Sequence, residues 1–136
     1  MSDTNAKKQI LMVDDDKTQS SFAEVVLNSE YDVITVTSGK EAVERLSKDL
    51  VPDLVLLDVL MPEMDGFATF DKIRTMDTMQ NVPVIFLTAV NAPEEIKKAL
   101  SAGAADYITK PYAMENFTNR IKNAIQMYEY KKREGK

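Results

Sequence analysis

Five short runs of strand character alternate along this chain with segments of helical period, and that alternation leaves few ways to fold it. Residues 9–13, 53–57 and 82–87 are apolar almost throughout, as strands buried on both faces are. Residues 31–37 alternate β-branched side chains as a second strand, and residues 106–109 supply a fifth. Between them the period changes. Phe22, Val25 and Val26 recur at helical spacing within 17–29, and Ser38-Gly39-Lys40-Glu41 matches a capping box opening a helix to about residue 49. Asp65 can cap a helix holding Phe67, Phe70 and Ile73. Pro93 suits the first turn of a helix striped by Ile96, Ala99 and Leu100, with Gly103 as its C-terminal cap. A last helix shows Phe117, Ile121, Ala124, Ile125 and Tyr128 on one face.

Five βα units joined by right-handed crossovers predict an α/β fold of the flavodoxin-like, doubly wound type. The expected sheet has five parallel strands in the order 2-1-3-4-5, with helices on both faces. A chain of 136 residues, 44% of them hydrophobic, fits one such domain. Its expected limits are a flexible N-terminus over 1–8, a folded domain over 9–128 and a charged C-terminal tail over 129–136, read as a solvated helix end. The net charge of −5 and the shortness of that basic tail argue against nucleic-acid binding. The N-terminus has no apolar core of a signal peptide, and nowhere do 18 apolar residues follow one another, so a cytoplasmic protein without membrane contact is expected.

The chain contains no Cys and no His. That removes thiol nucleophiles, Ser-His-Asp triads, Cys/His zinc sites and imidazole relays. Catalysis must then run on carboxylates and hard cations. Four of the runs end at residues suited to this: Leu11-Met12-Val13 at Asp14-Asp15, Leu54-Val55-Leu56-Leu57 at Asp58, Val84-Ile85-Phe86-Leu87 at Thr88, and Tyr107-Ile108-Thr109 at Lys110. Ligands in open α/β sheets bind outside the carboxyl ends of the strands, so three carboxylates, a hydroxyl and an ammonium should meet at one edge. Clustered carboxylates stay ionised together only around a cation, and few side chains with hard oxygens suit Mg²⁺. Each residue alone also has a plainer reading: Asp14-Asp15-Asp16 as a solvated turn or helix cap, Asp58 as a loop cap, Thr88 as a β-branched strand residue, Lys110 as a surface lysine.

The motifs resemble a known family. Ile10-Leu11-Met12-Val13-Asp14-Asp15-Asp16 resembles the first strand and acidic turn of response-regulator receiver domains. Pro52-Asp53-Leu54-Val55-Leu56-Leu57-Asp58-Val59-Leu60-Met61-Pro62-Glu63-Met64-Asp65-Gly66 is similar to their phospho-acceptor motif. Leu87-Thr88-Ala89 is similar to their hydroxyl-bearing strand end, and Tyr107-Ile108-Thr109-Lys110-Pro111 to their lysine motif. The likeness spans roughly residues 9–128, and Lys17 departs from the Pro often found there, which bears only on the start of the first helix.

The resemblance implies a phospho-accepting domain of a two-component phosphorelay. Asp58 would take phosphate from a histidine kinase or a histidine phosphotransfer protein, which must be a separate protein because this chain has no His. It implies Mg²⁺, with Mn²⁺ as a substitute, on Asp14, Asp15, Asp58 and the main-chain carbonyl of Leu60. Thr88, the main-chain NH of Ala89 and Lys110 would engage the phosphoryl group, and the Lys110–Pro111 bond would be cis. Tyr107 would turn inward and reshape the surface of the fourth helix, fifth strand and fifth helix for a downstream protein or output domain. Leu60 and Val90 would control water access, and as both are apolar, self-dephosphorylation should be slow. Such a domain is no enzyme beyond its own phosphorylation and dephosphorylation. The alternative is a Mg²⁺-dependent phosphohydrolase with an aspartate nucleophile, of the haloacid-dehalogenase type, but that class wants a second Asp where Leu60 stands. A flavodoxin-like FMN carrier would need a first loop that attracts phosphate, and Asp14-Asp15-Asp16 would repel it.

Overall fold

Leu11, Val13, Val55 and Leu57 face one side of the sheet, Ile10, Met12, Leu54 and Leu56 the other, and all are fully buried. Strands apolar on both faces need cover on both, which parallel βα units provide. The computed structural model describes residues 7–89 and 92–135. In chain order it has β1 (Lys8–Val13), α1 (Lys17–Leu27), β2 (Tyr31–Val36), α2 (Gly39–Lys48), β3 (Leu54–Asp58), α3 (Gly66–Arg74), a single 3-10 turn (Asp77–Met79), β4 (Val84–Ala89), α4 (Pro93–Ser101), β5 (Asp106–Lys110) and α5 (Met114–Gly135). The strands form one parallel sheet in the order β2-β1-β3-β4-β5, as the alternation of elements predicts. Ala42, Leu46, Phe70, Ile73 and Ala99 bring α2, α3 and α4 onto one face. Ala23, Leu27, Phe117, Ile121 and Ile125 bring α1 and α5 onto the other.

Local signals set several boundaries. The Ser38 hydroxyl accepts from the Glu41 backbone NH at 3.1 Å, while the Glu41 carboxylate accepts from Thr37, one residue before the cap that a standard capping box would serve. Asp65 accepts from the Ala68 NH at 2.9 Å and so starts α3. Gly103 ends the α4 region at φ +105°, a conformation that costs glycine little. Strands β3 and β4 run one and two residues further than their apolar runs, so Asp58 and Thr88 lie within the ladder as buried strand residues.

The face that α1 buries is not the one its larger apolar residues mark. Ser20, Ala23 and Leu27 pack inward, Val25 is 79% exposed, and Phe22 lies near the surface against Tyr112 and Phe117. Small Ala23 lets the helix approach the sheet closely. In α4 only Ala99 of the expected stripe is buried, and Leu100 is exposed. Of the N-terminal stretch expected to be flexible, residues 1–6 lie outside the described residues, while Lys8 already pairs with Tyr31 in β1 and binds Glu129 of α5 at 2.7 Å. Helix α5 continues through the segment read as a charged tail, as far as Gly135. Among the described residues no helix is long and apolar enough to cross a membrane.

Candidate functional site

The sheet register delivers four strand ends to one edge. Asp14 follows β1 and its NH still bonds to Val36 of β2, Asp58 closes β3, Thr88 lies near the end of β4, and Lys110 closes β5. Asp14, Asp58 and Thr88 are buried, and Asp15 is exposed. Asp14, Asp15 and Asp58 each present an oxygen, and these oxygens lie within 4.8 Å of one another. The Lys110 ammonium reaches back across the edge, 3.0 Å from Asp14 Oδ2 and 3.1 Å from Asp58 Oδ1. The Lys110–Pro111 peptide is cis. Asp16 takes a different part: its carboxylate caps α1 by accepting from Thr18 and Gln19, and its NH donates to Asp14 Oδ1 at 2.9 Å. The acidic triplet is therefore both cap and cluster.

One ammonium does not balance this cluster. Burial pushes the Asp58 carboxyl up, the negative charge of Asp14 pushes it further, and Lys110 only partly offsets both, leaving it at about 6. Burial works against the charge of Lys110 as well, but the hydrogen bond to Asp14 and the charges of Asp58 and Asp14 outweigh it and hold the ammonium above its ordinary value. The pocket thus holds Lys110 charged and Asp58 short of positive charge. A hard divalent cation fits that deficit, and the three carboxylates are the donors it prefers.

Asp15, Asp58, Leu60, Thr88, Ala89 and Lys110 line a cleft of about 290 Å³ over this edge. The structure therefore brings together most of the residues singled out in the sequence. The Thr88 hydroxyl turns to the Ala89 carbonyl at 3.1 Å rather than to Asp58. The Leu60 side chain stands 65% exposed at the rim. Tyr107 lies away from the cleft, half-buried, under the Arg120 guanidinium at 5.3 Å from its ring centroid. Val90 lies outside the described residues.

The loop after Asp58 is folded back tightly. Glu63 has φ +66° and the Met64 NH bonds to the Pro62 carbonyl at 2.7 Å, a strained γ-turn. Gly66 then donates to the Val59 carbonyl, and a Cβ at Gly66 would collide with the Asp58 carbonyl oxygen. In the sequence Gly66 stands only as the last residue of the phospho-acceptor motif, because the close approach arises from α3 packing back onto the end of β3. Tyr112 also escapes sequence reasoning. Its ring stacks on nearby Phe117 at 4.6 Å and on Phe22, far away in the chain, at 5.8 Å. A larger cavity of about 590 Å³ opens at the opposite edge, near the starts of β4 and β5, between Arg74, Val82, Asp106, Arg120 and Tyr128. It contains no acidic cluster, and we place the chemistry in the smaller cleft.

Comparison with known proteins points the same way. A family profile described as the response regulator receiver domain matches residues 10–122. The transcriptional regulatory protein CrdR of Helicobacter pylori is 39% identical over 116 residues, covering 85% of this chain. The chain spans 54% of that protein, and as little as 8% of another curated relative, a hybrid signal transduction histidine kinase of Dictyostelium discoideum. Among solved structures, a putative response regulator from Chloroflexus aurantiacus is similar at 33% identity and a TM-score of 0.83, over 88% of this chain and 98% of that one. The receiver domain of a Pseudomonas aeruginosa sensor histidine kinase, described with a magnesium ion coordinated in its active-site cleft, is similar at 30% identity and a TM-score of 0.80, over 89% of this chain and 99% of that one. Strand order, acidic edge and sequence likeness agree, and the chain belongs to the response regulator receiver domain family of two-component signalling.

Proposed function

We propose that Asp58 accepts a phosphoryl group from a phosphorylated histidine of a separate kinase or phosphotransfer protein, and that the domain thereby switches a surface read by a downstream protein or output domain. The observation that carries this is the ion pairing of Lys110 with both Asp14 and Asp58, beside an exposed third carboxylate, in a cleft open to a donor. In the reaction a carboxylate oxygen of Asp58 attacks phosphorus, the bond from phosphorus to the donor nitrogen breaks, and its electron pair leaves with the imidazole. Phosphoryl transfer needs positioning and charge compensation more than covalent machinery. Asp14, Asp15, Asp58 and the Leu60 carbonyl would hold Mg²⁺, with Mn²⁺ able to substitute. When bound, the ion supplies charge compensation at the phosphoryl oxygens. Lys110 supplies a second positive charge, and the Thr88 hydroxyl rotates from the Ala89 carbonyl to the phosphoryl group, which also receives the Ala89 NH.

Tyr107 turns inward as Thr88 leaves its ground-state partner, altering the face formed by α4, β5 and α5. That face is the partner surface in this reading. Catalysis is confined to the domain's own phosphorylation and dephosphorylation, in a cytoplasmic setting without direct contact to nucleic acid or membrane. Apolar Leu60 at the rim, with Val90, keeps the phosphorylated state alive for minutes or longer at neutral pH, and a half-life of seconds would contradict this. The test of the reading as a whole is incubation with Mg²⁺ and a small phosphodonor, followed by intact mass. A gain of one phosphoryl group in the protein and none in Asp58→Asn supports it. No gain in either overturns it.

A further inference from the structure

Two glycines lie where backbone approaches its neighbour with no room for a side chain. Gly66, which opens α3, lies against the Asp58 carbonyl and Val59. Gly39, which opens α2, is buried, and a Cβ there would collide with the Thr69 hydroxyl of α3 and stand 3.2 Å from both the carbonyl oxygen and the sulfur of Met64. Because Gly39 is helical, space rather than backbone freedom is what requires glycine at this point. Neither Thr69 nor the Met64 carbonyl yields easily. Thr69 is fully buried with its hydroxyl donating to the Asp65 carbonyl at 2.9 Å, and the Met64 NH closes the turn in which Glu63 has a positive φ. On the other side, Ser38 and Glu41 hold the first turn of α2 by their capping bonds. The contacts therefore run in series, from α2 through the first turn of α3 to the main chain of Asp58.

We propose that Gly39 is a positioning residue for the acidic pocket: with no side chain between them, the start of α2 backs the start of α3 and so fixes where the end of β3 presents Asp58. This rests on the reading of Asp58 as a ligand of Mg²⁺. Close-packed interiors have few voids in which a displacement can be lost. One carbon added at Gly39 must be taken up either by α2 moving outward or by the start of α3 moving against Asp58. Ala42 and Leu46 anchor α2 in the core, which opposes the first route and leaves the second. Partners that support metal ligands from outside the coordination sphere typically govern affinity by about 10- to 100-fold. In this way a helix that contributes no residue to the cleft takes part in setting it.

Gly39→Ala adds one carbon. Calorimetric titration with MgCl₂, at a temperature where the variant is folded by circular dichroism, should show an affinity about tenfold below that of the unaltered protein. Thr69→Ala removes the atom met first, so it should bind Mg²⁺ within about threefold of the unaltered protein, and Gly39→Ala combined with Thr69→Ala should recover the affinity to that same range. A merely structural glycine would give a lower thermal midpoint with Mg²⁺ affinity within about twofold of the unaltered protein, which overturns the inference and leaves the metal site standing. A loss that Thr69→Ala does not relieve overturns it as well, because the strain then reaches the pocket by another way. If Gly39→Ala yields no folded protein, Ser38→Ala decides. It frees the first turn of α2 without adding an atom and should lower the affinity by more than about twofold, an unchanged value overturning the inference. Absence of Mg²⁺ binding in the unaltered protein overturns the site reading and this inference together.

Discussion

The two edges of the sheet solve opposite problems. At the amino-terminal edge, charged groups are paired with one another or with backbone: Arg120 binds Asp106 at 2.6 Å, Arg74 donates to the Ala102 carbonyl, and the Asp53 carboxylate accepts from the Gln9 NH. At the carboxyl-terminal edge, two buried carboxylates share one ammonium with a third carboxylate close by. The amino-terminal edge has the larger cavity and the carboxyl-terminal edge the unbalanced charge. Cavity volume alone would point to the end of the molecule opposite the proposed site. Electrostatic frustration marks where a ligand completes the structure.

The largest effect should come from Asp58→Asn, which removes the acceptor oxygen's charge and should abolish the mass gain of one phosphoryl group. Lys110→Ala should keep the acceptor but slow phosphorylation about 10²–10³-fold, as loss of one preorganised charge does elsewhere, read from the rate of mass gain at fixed Mg²⁺. A rate within a few-fold of the unaltered protein would break the contrast between the edges.

The third test is pH. Asp58 is raised from its ordinary 3.8 to about 6, so between those values the folded state holds the proton more tightly than the unfolded state. Without divalent cation, stability from this group is therefore full below about pH 4 and is lost as pH rises through 6, by on the order of 2–3 kcal/mol. Denaturant titrations across that range should show the loss, and Asp58→Asn or saturating Mg²⁺ should flatten it. The smallest effect is expected at the other edge. Arg74→Ala loses a hydrogen bond at 2.7 Å and a contact over Phe70, costing about 1 kcal/mol in denaturant titration, with phosphorylation rate unchanged. A large rate effect there would show that the edges are coupled.

Most of this contrast is legible in the sequence. The alternation of runs gives the strand order, and the residues ending those runs give Asp14, Asp58, Thr88 and Lys110, because strand ends in a parallel sheet are fixed by where apolar character stops. Asp65, Pro93 and Gly103 mark helix ends by local chemistry that the structure repeats. What escapes is decided by contacts across the chain. The inward face of α1 is Ser20, Ala23 and Leu27 because a small residue allows close approach, and periodicity favours the larger Phe22 and Val25 instead. The short turn over Asp77–Met79 has too few residues to show a period. Gly66 and Tyr112 gain significance only once α3 returns to β3 and α1 lies beside α5.

Because Asp14, Asp58, Thr88 and Lys110 issue from four neighbouring strands, β1, β3, β4 and β5, their backbone anchors are ruled off at the sheet's own pitch of about 4.8 Å. The dimensions of the cleft are thereby set by main-chain bonding that does not depend on which side chains sit there. In the proposed reaction, exchanges at the rim, such as Leu60, would retune how long the phosphorylated state lasts while the reacting atoms keep their spacing. A timer and a trigger can diverge separately on a scaffold built this way.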